Sequence, residues 1–173
     1  MAIDTHAHYI PQAMLEDLRD RIGDFPSVDL IENDGKLQLA FAGRTPTRPV
    51  MPRLRETEER HKWMDEQGLD LQIPGGWVDA FGNQLPAEEG ADWARYSNEW
   101  LLKECTKNPR IIPLAVLPTQ SGELAAKVME EALNQGFKGF MIGAQTHAVG
   151  GNLDDPDLDP FWQMAHDKGA VVM

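Results

Sequence analysis

The sequence has one cysteine and no long apolar run. A lone Cys105 cannot form an internal disulfide, which agrees with a reducing compartment. No catalytic signature flanks it, so we interpret it as a small packed residue. A membrane-spanning helix needs about 20 consecutive apolar residues, and no stretch approaches that length. No basic region followed by an apolar stretch opens the chain, so no secretory signal is readable, and we expect a cytoplasmic protein without membrane contact.

Positive charge is also scarce in this chain. Its 16 Lys and Arg residues are outnumbered by 28 Asp and Glu residues, which gives a formal charge of −12. Such a surface repels phosphate backbones, so nucleic acid is not an expected partner. With 173 residues, 42% hydrophobic and 25% charged, the composition is typical of globular proteins. We therefore expect a single domain over residues 1–173.

Short apolar runs alternate along the chain with segments of helical period, a pattern typical of a parallel sheet with crossover helices. The predicted strands are residues 1–5, 69–74, 110–118, 137–143 and 169–173. The predicted helices are residues 55–67, 86–107 and 122–134, together with one that opens at Asp159-Pro160 and stops at Gly169. Ser121 is the expected N-cap of the third helix and Asp159 that of the fourth.

Two segments interrupt this rhythm. Residues 24–52 alternate in polarity and contain Asp34-Gly35, a strong two-residue turn signal, so we interpret them as a β-hairpin insertion after strand 1. Residues 143–159 form a long loop after the fourth strand. In (β/α) barrels the loops at the carboxyl ends of the strands carry the chemistry.

The count of elements favours part of a larger barrel. Four strand-plus-helix units and a fifth strand are readable, whereas a closed eightfold barrel typically needs about 250 residues. We predict an α/β fold, a partial TIM-type (β/α)8 barrel with the hairpin insertion. An open, doubly wound sheet of five strands is the structural alternative.

The first predicted strand leads into a pair of histidines, His6 and His8. Residues two apart on a strand point to the same face, so both imidazoles can reach one metal ion. The spacing alone is weak, because two histidines also occur together by chance or in a core. Their place at the end of the first strand of a βα chain favours the metal-ligand interpretation.

Several stretches resemble the amidohydrolase-related family of metal-dependent decarboxylases and hydrolases, in particular its aminocarboxymuconate-semialdehyde decarboxylase-like members. IDTHAHYIP resembles the family's opening metal motif. RPV at residues 48–50 and MDEQGLDLQ at residues 64–72 resemble its second block, and residues 108–143 resemble its third and fourth strand units. The chain looks like the N-terminal half of such a barrel.

The resemblance implies that His6 and His8 are ligands of a divalent metal, most often zinc. It also implies that Arg48 pairs with a substrate carboxylate, which a guanidinium can hold through two parallel bonds. A solvated surface role for Arg48 stays open, and Arg44 and Arg53 are nearby rivals. The family's third histidine ligand, its acid–base histidine and its metal-binding aspartate are expected beyond Met173.

Three further residues are expected to line the substrate site. If the barrel interpretation holds, Trp77 and Phe81 in the loop after the second strand face its mouth, although a packed loop cap is an equal alternative. His147 follows the fourth strand and is expected to line the site without binding the metal. His61 and His166 lie in predicted helices and are interpreted as surface or packing residues.

The resemblance implies a decarboxylase that acts on a small aromatic or muconate-type carboxylic acid. Hydrolysis of a lactone or amide by the same apparatus is the first alternative. The second alternative is a catalytically incompetent fragment that associates through the exposed edge of its fifth strand, for example as a homodimer.

Overall fold

The computed structural model describes residues 1–147 and 150–173. The helices are α1 (Gln12–Arg21), α2 (Pro52–Arg55), α3 (Thr57–Glu66), α4 (Ala87–Cys105), α5 (Gly122–Gln135) and α6 (Asp159–Lys168). The strands are β1 (Ile3–Tyr9), β2 (Val28–Asn33), β3 (Lys36–Phe41), β4 (Leu71–Gly76), β5 (Ala115–Val116), β6 (Gly139–Met141) and β7 (Val171–Val172). None of the helices in the described ranges is long and apolar enough to cross a membrane.

In the described part of the chain, five strands run parallel and follow one another in chain order. β1 pairs with β4, and β5, β6 and β7 pair in sequence. A parallel bridge from Gln72 to Ile111 and a 2.8 Å hydrogen bond from the Leu114 amide to the Pro74 carbonyl connect the two groups. The helices between these strands are crossovers. The predicted α/β class is confirmed, and the carboxyl ends of the strands meet at one edge.

The helix ends follow from local chemistry. The Ser121 side chain accepts a hydrogen bond from the Leu124 amide and caps α5, as predicted. Gly136, with φ of 109°, ends that helix in the left-handed region that favours glycine. Val128 and Met129 form part of its buried face, so α5 packs its apolar side against the sheet.

The described residues form two hydrophobic cores. The first lies between the parallel strands and helices α4 to α6 and is centred on Leu101, Met129, Phe140 and Phe161. The second lies under the antiparallel hairpin of β2 and β3 and includes Leu15, Leu18, Phe25, Leu39 and Trp93. Helix α4 contributes to both cores. The hairpin is therefore packed onto the α/β body, and its turn is formed by Asp34 and Gly35 with φ of 49° and 71°.

The structure corrects several of the predicted bounds. Helix α1 is absent from the elements that the sequence predicts. Its buried residues Met14, Leu15 and Leu18 form an apolar stripe of one helical turn, which is too short to distinguish from a loop by pattern. Strand β1 extends to Tyr9, so the histidines lie within it. Only Ala115 and Val116 of the predicted third strand form regular pairs.

The predicted N-cap role of Asp159 is also wrong. Asp159 is the first residue of α6, and Leu158 precedes it without a side-chain cap. The carboxylate of Asp155 instead accepts a 3.1 Å hydrogen bond from the Asp157 amide and caps the single 3₁₀ turn Pro156–Leu158. The cap lies four residues earlier because this turn leads directly into the α-helix.

Candidate functional site

The candidate site lies at the edge where β1, β4 and β6 end. Along β1, Asp4, His6 and His8 alternate with Ala7 and Tyr9, which are buried. Residues two apart on a strand point to the same side, and the rings of His6 and His8 share one face of β1. His6 is exposed and His8 is half-buried, so the face remains accessible from solvent.

The two imidazoles are neighbours with a defined orientation. Their ring centroids lie 5.3 Å apart with an interplanar angle of 84°. His8 Nδ1 lies 2.9 Å from the Gly76 carbonyl oxygen on β4. A carbonyl oxygen can only accept, so Nδ1 carries a hydrogen, and in the neutral tautomer Nε2 keeps its lone pair. Metal-ligating histidines are commonly held in this way.

The donor chemistry of this pair fits two ligands of a divalent ion. Neutral imidazole nitrogens suit zinc and several other transition metals. Within residues 1–147 and 150–173, no group of three or more His, Cys, Asp or Glu residues could hold a metal ion. A metal ion bound by this pair would need its remaining ligands from other groups.

Arg48 forms a bidentate ion pair. Its Nε and Nη2 donate to the two carboxylate oxygens of Asp79 at 2.8 and 3.0 Å. The hydrogen bond to Asp79 raises the pKa of Arg48. The Arg48 side chain is 74% exposed, whereas that of Asp79 is 23% exposed. The guanidinium fork is thus presented at the surface, and an acid from the loop after β4 fills it.

The loops after β4 and β6 line a cavity of about 410 Å³ that is open to solvent. Its lining includes Phe81, Asn83, Gln145 and His147. The Asn83 amide donates a 2.8 Å hydrogen bond to the Gln145 carbonyl and so joins the two loops. His147 Nδ1 lies 2.8 Å from the Thr146 hydroxyl. The structure therefore brings two of the predicted lining residues, Phe81 and His147, to one cavity.

Trp77 lies elsewhere. It is 4% exposed and belongs to the second core, with Leu85 and Tyr96. Its ring packs under the hairpin and does not line the cavity that holds Phe81 and His147. Trp77 therefore has the position of a packed loop cap, which was the alternative to a substrate-lining role.

Gly75 and Gly76 are the last two residues of β4, and the structure shows a steric need for glycine at both positions. Neither has a positive φ. A Cβ on Gly75 would lie 2.6 Å from Met141 Cβ, and one on Gly76 would lie 2.5 Å from Val116 Cγ1. The glycines are thus required for space, because side chains of β5 and β6 pack directly against the end of β4.

Sequence reasoning missed Arg60, a helical residue that is 3% exposed and contacts the backbone of β1. The available signal was its spacing of four from Met64, the other buried residue of α3.

Cys105 is buried, and burial raises the pKa of its thiol to about 12. A neutral packed thiol agrees with the interpretation from sequence.

A family model described as "Amidohydrolase" matches residues 3–173. The chain belongs to the amidohydrolase family. This match confirms the resemblance read from the histidine pair and the strand units.

Individual relatives agree with this assignment. The chain is 26% identical over 175 residues to a 2-amino-3-carboxymuconate-6-semialdehyde decarboxylase from Dictyostelium discoideum, covering 99% of this chain and 48% of the relative. It is similar to the crystal structure of 5-carboxyvanillate decarboxylase from Sphingomonas paucimobilis, with a TM-score of 0.71 and 24% identity, covering 99% of this chain and 50% of that one.

A third relative is a 5-carboxyvanillate decarboxylase from Novosphingobium aromaticivorans, solved in complex with manganese and a nitrobenzoic acid. Its TM-score is 0.70 at 20% identity, with 99% of this chain and 49% of that chain covered. At these identities the solved structures establish a shared fold. The chain spans about half the length of the relatives it matches.

Substitution of Gly75 tests the packing at this strand end. We expect Gly75→Ala to lower the free energy of unfolding by about 1–3 kcal/mol, the usual cost of overpacking a core, because the new methyl group would overlap Met141. Urea denaturation followed by circular dichroism measures the change. Gly23→Ala is the matched control, since no atom lies within 4 Å of a Cβ there; equal effects of the two variants would contradict the account.

Proposed function

We propose that this chain is the N-terminal part of a (β/α)8-barrel enzyme that decarboxylates a small aromatic or muconate-type carboxylic acid with the help of a divalent metal ion. The observation that carries the proposal is the His6–His8 pair, in which the Gly76 carbonyl orients the His8 ring so that Nε2 is left to bind an ion. Family membership and the decarboxylases among the relatives support it.

His6 and His8 would hold the ion. Zinc is the metal that the sequence predicts, and the manganese of a related structure makes that ion its competitor. A divalent ion bound there would supply Lewis-acid polarisation of a substrate oxygen. The chain's own contribution is to place both histidines on one face of β1 and to orient the His8 ring, which lowers the ordering cost when the ion binds.

Arg48 would bind the substrate carboxylate, as the family resemblance suggests. Its fork already makes two parallel bonds to a carboxylate, that of Asp79, which is the geometry that a carboxylic-acid substrate would use. A substrate would have to replace Asp79 as the partner. Phe81 and His147 line the neighbouring cavity, whose volume of about 410 Å³ lies within the usual range for small-molecule sites.

Two other functions remain alternatives to this proposal. Hydrolysis of a lactone or amide would use the same ligands, and the description of the family as amidohydrolase favours it as the second candidate. A fragment that associates through its open edge is the third. Val171 on the terminal strand β7 is 64% exposed, and a homodimer would cover this edge.

Histidine substitution tests the metal site. We expect the chain to bind one zinc or manganese ion, and His6→Ala and His8→Ala each to weaken binding at least tenfold, because each removes one of two donors on β1. Isothermal titration calorimetry on metal-free protein measures the affinity. His166→Ala, an exposed histidine of α6, is the matched control and should leave it unchanged. Wild-type affinity in His8→Ala would contradict the site.

Asp79→Asn tests the carboxylate role of Arg48. Removal of the Asp79 charge, which competes for Arg48, should strengthen binding of aromatic carboxylates several-fold. Arg48→Met should abolish binding, because methionine cannot form a bidentate ion pair with the carboxylate. Titration of the metal-loaded chain with substituted benzoates, followed by NMR, measures both effects. Arg44→Met is the control for a neighbouring cation. A loss of binding in Arg44→Met and none in Arg48→Met would assign the role to Arg44.

Product analysis separates the two reactions. Release of CO₂ from aromatic and muconate-type acids supports decarboxylation, and release of acid from lactones or amides supports hydrolysis. The assay uses the complete, metal-loaded protein, because the acid–base histidine and the further metal ligands are expected beyond Met173. Absence of both products from the complete protein would contradict the proposed enzymatic role.

A further inference from the structure

Arg60 is a charged residue in the interior, directly behind the histidine strand. Its guanidinium donates from Nη2 to the His8 carbonyl at 2.7 Å and to the Arg53 carbonyl at 3.3 Å. Nη1 donates to the Gln72 side-chain oxygen. The guanidinium carbon also lies 4.5 Å from the centre of the Tyr9 ring, so β1 is contacted at two consecutive residues.

No carboxylate forms an ion pair with Arg60 within the described ranges 1–147 and 150–173. Burial lowers the pKa of this guanidinium, since the charged form is costly to hold away from water. Gln72 connects the guanidinium to a carboxylate indirectly. Its side-chain oxygen accepts from Arg60, and its amide nitrogen donates a 2.8 Å hydrogen bond to Asp4 Oδ2. Holding a charge away from water carries a desolvation penalty, so stability alone is a weak reason for an arginine at this position.

The hydrogen-bond network of Arg60, Gln72 and Asp4 reaches the backbone of both histidines. Asp4 Oδ1 accepts a 3.1 Å hydrogen bond from the His6 amide, and Arg60 holds the His8 carbonyl. The β1–β4 ladder is irregular in this segment, because its register shifts between Asp4 and Ala7. Side chains therefore hold the part of β1 where regular strand pairing is interrupted.

We infer that Arg60, acting through Gln72 and Asp4, is a positioning residue that fixes β1 across its irregularity and so sets the orientation of His6 and His8 toward a shared divalent ion. The inference rests on the proposed function for the ion, but the contacts themselves do not. Arg60 supplies the fork that bridges α3, β1 and β4, and Gln72 transmits its position to the strand on the side of His6.

Two variants test this role at different links of the network. Arg60→Lys keeps the charge and loses the fork, while Gln72→Met keeps the volume and loses the link to Asp4. We expect each to weaken zinc binding about 10- to 100-fold, as removal of groups that orient metal ligands commonly does. Titration calorimetry measures the affinity, and the visible spectrum of the cobalt-loaded chain reports the ligand geometry.

Arg95→Lys is the matched control. Arg95 also makes a bidentate pair, with Glu131 at 2.7 and 3.2 Å, and links α4 to α5 away from the histidines. It should leave metal affinity and the cobalt spectrum unchanged. Unfolding in urea compares the stabilities of all three variants. Folded Arg60→Lys and Gln72→Met proteins with wild-type zinc affinity would overturn the inference, as would an equal loss of affinity in Arg95→Lys.

Amide hydrogen exchange in the metal-free chain tests the contacts independently of the ion. We expect Gln72→Met to speed exchange of the His6 amide at least tenfold and to leave the Phe140 amide on β6 unchanged. Uniform acceleration, or none, would overturn the positioning role. If the wild-type chain binds no ion, the proposed function fails, and exchange at His6 in Gln72→Met and in Arg60→Lys still decides whether Gln72 and Arg60 hold this segment.

Discussion

The hydrogen bond between the His8 ring and the Gly76 carbonyl is the contact on which the site depends. It joins β1 to the end of β4 and, in the neutral ring, leaves Nε2 of His8 with its lone pair. It forms because β1 and β4 are parallel neighbours with His8 opposite Gly75 and Tyr9 opposite Gly76. One strand pairing therefore determines both the position of the histidine and its protonated nitrogen.

That pairing in turn requires small residues at the end of β4. Side chains of Val116 and Met141 occupy the space that a Cβ on Gly76 or Gly75 would need. The first core brings those side chains against the strand, so the packing behind the sheet sets the position of the carbonyl that orients His8. On the other side, Arg60 holds the His8 carbonyl. The packing behind β4 and the contacts of Arg60 thus both act on His8 and Tyr9 of β1.

Local patterns in the sequence predicted much of this architecture. The alternation of strands and helices, the Ser121 cap and the two histidines on one strand face all follow from residues close together in sequence. The structure added contacts between distant residues. Arg60 reaches Gln72 and His8 across 12 and 52 positions, and Trp77 turns under a hairpin instead of toward the cavity. Such contacts depend on tertiary packing, which local periodicity does not encode.

The tautomer of His8 tests the account most directly. Nitrogen NMR of the metal-free chain, above the pH at which the ring is protonated, distinguishes a hydrogen on Nδ1 from one on Nε2. The Gly76 carbonyl predicts the Nδ1–H form for His8. An Nε2–H form would contradict the account, because the nitrogen assigned to the metal would then carry a hydrogen.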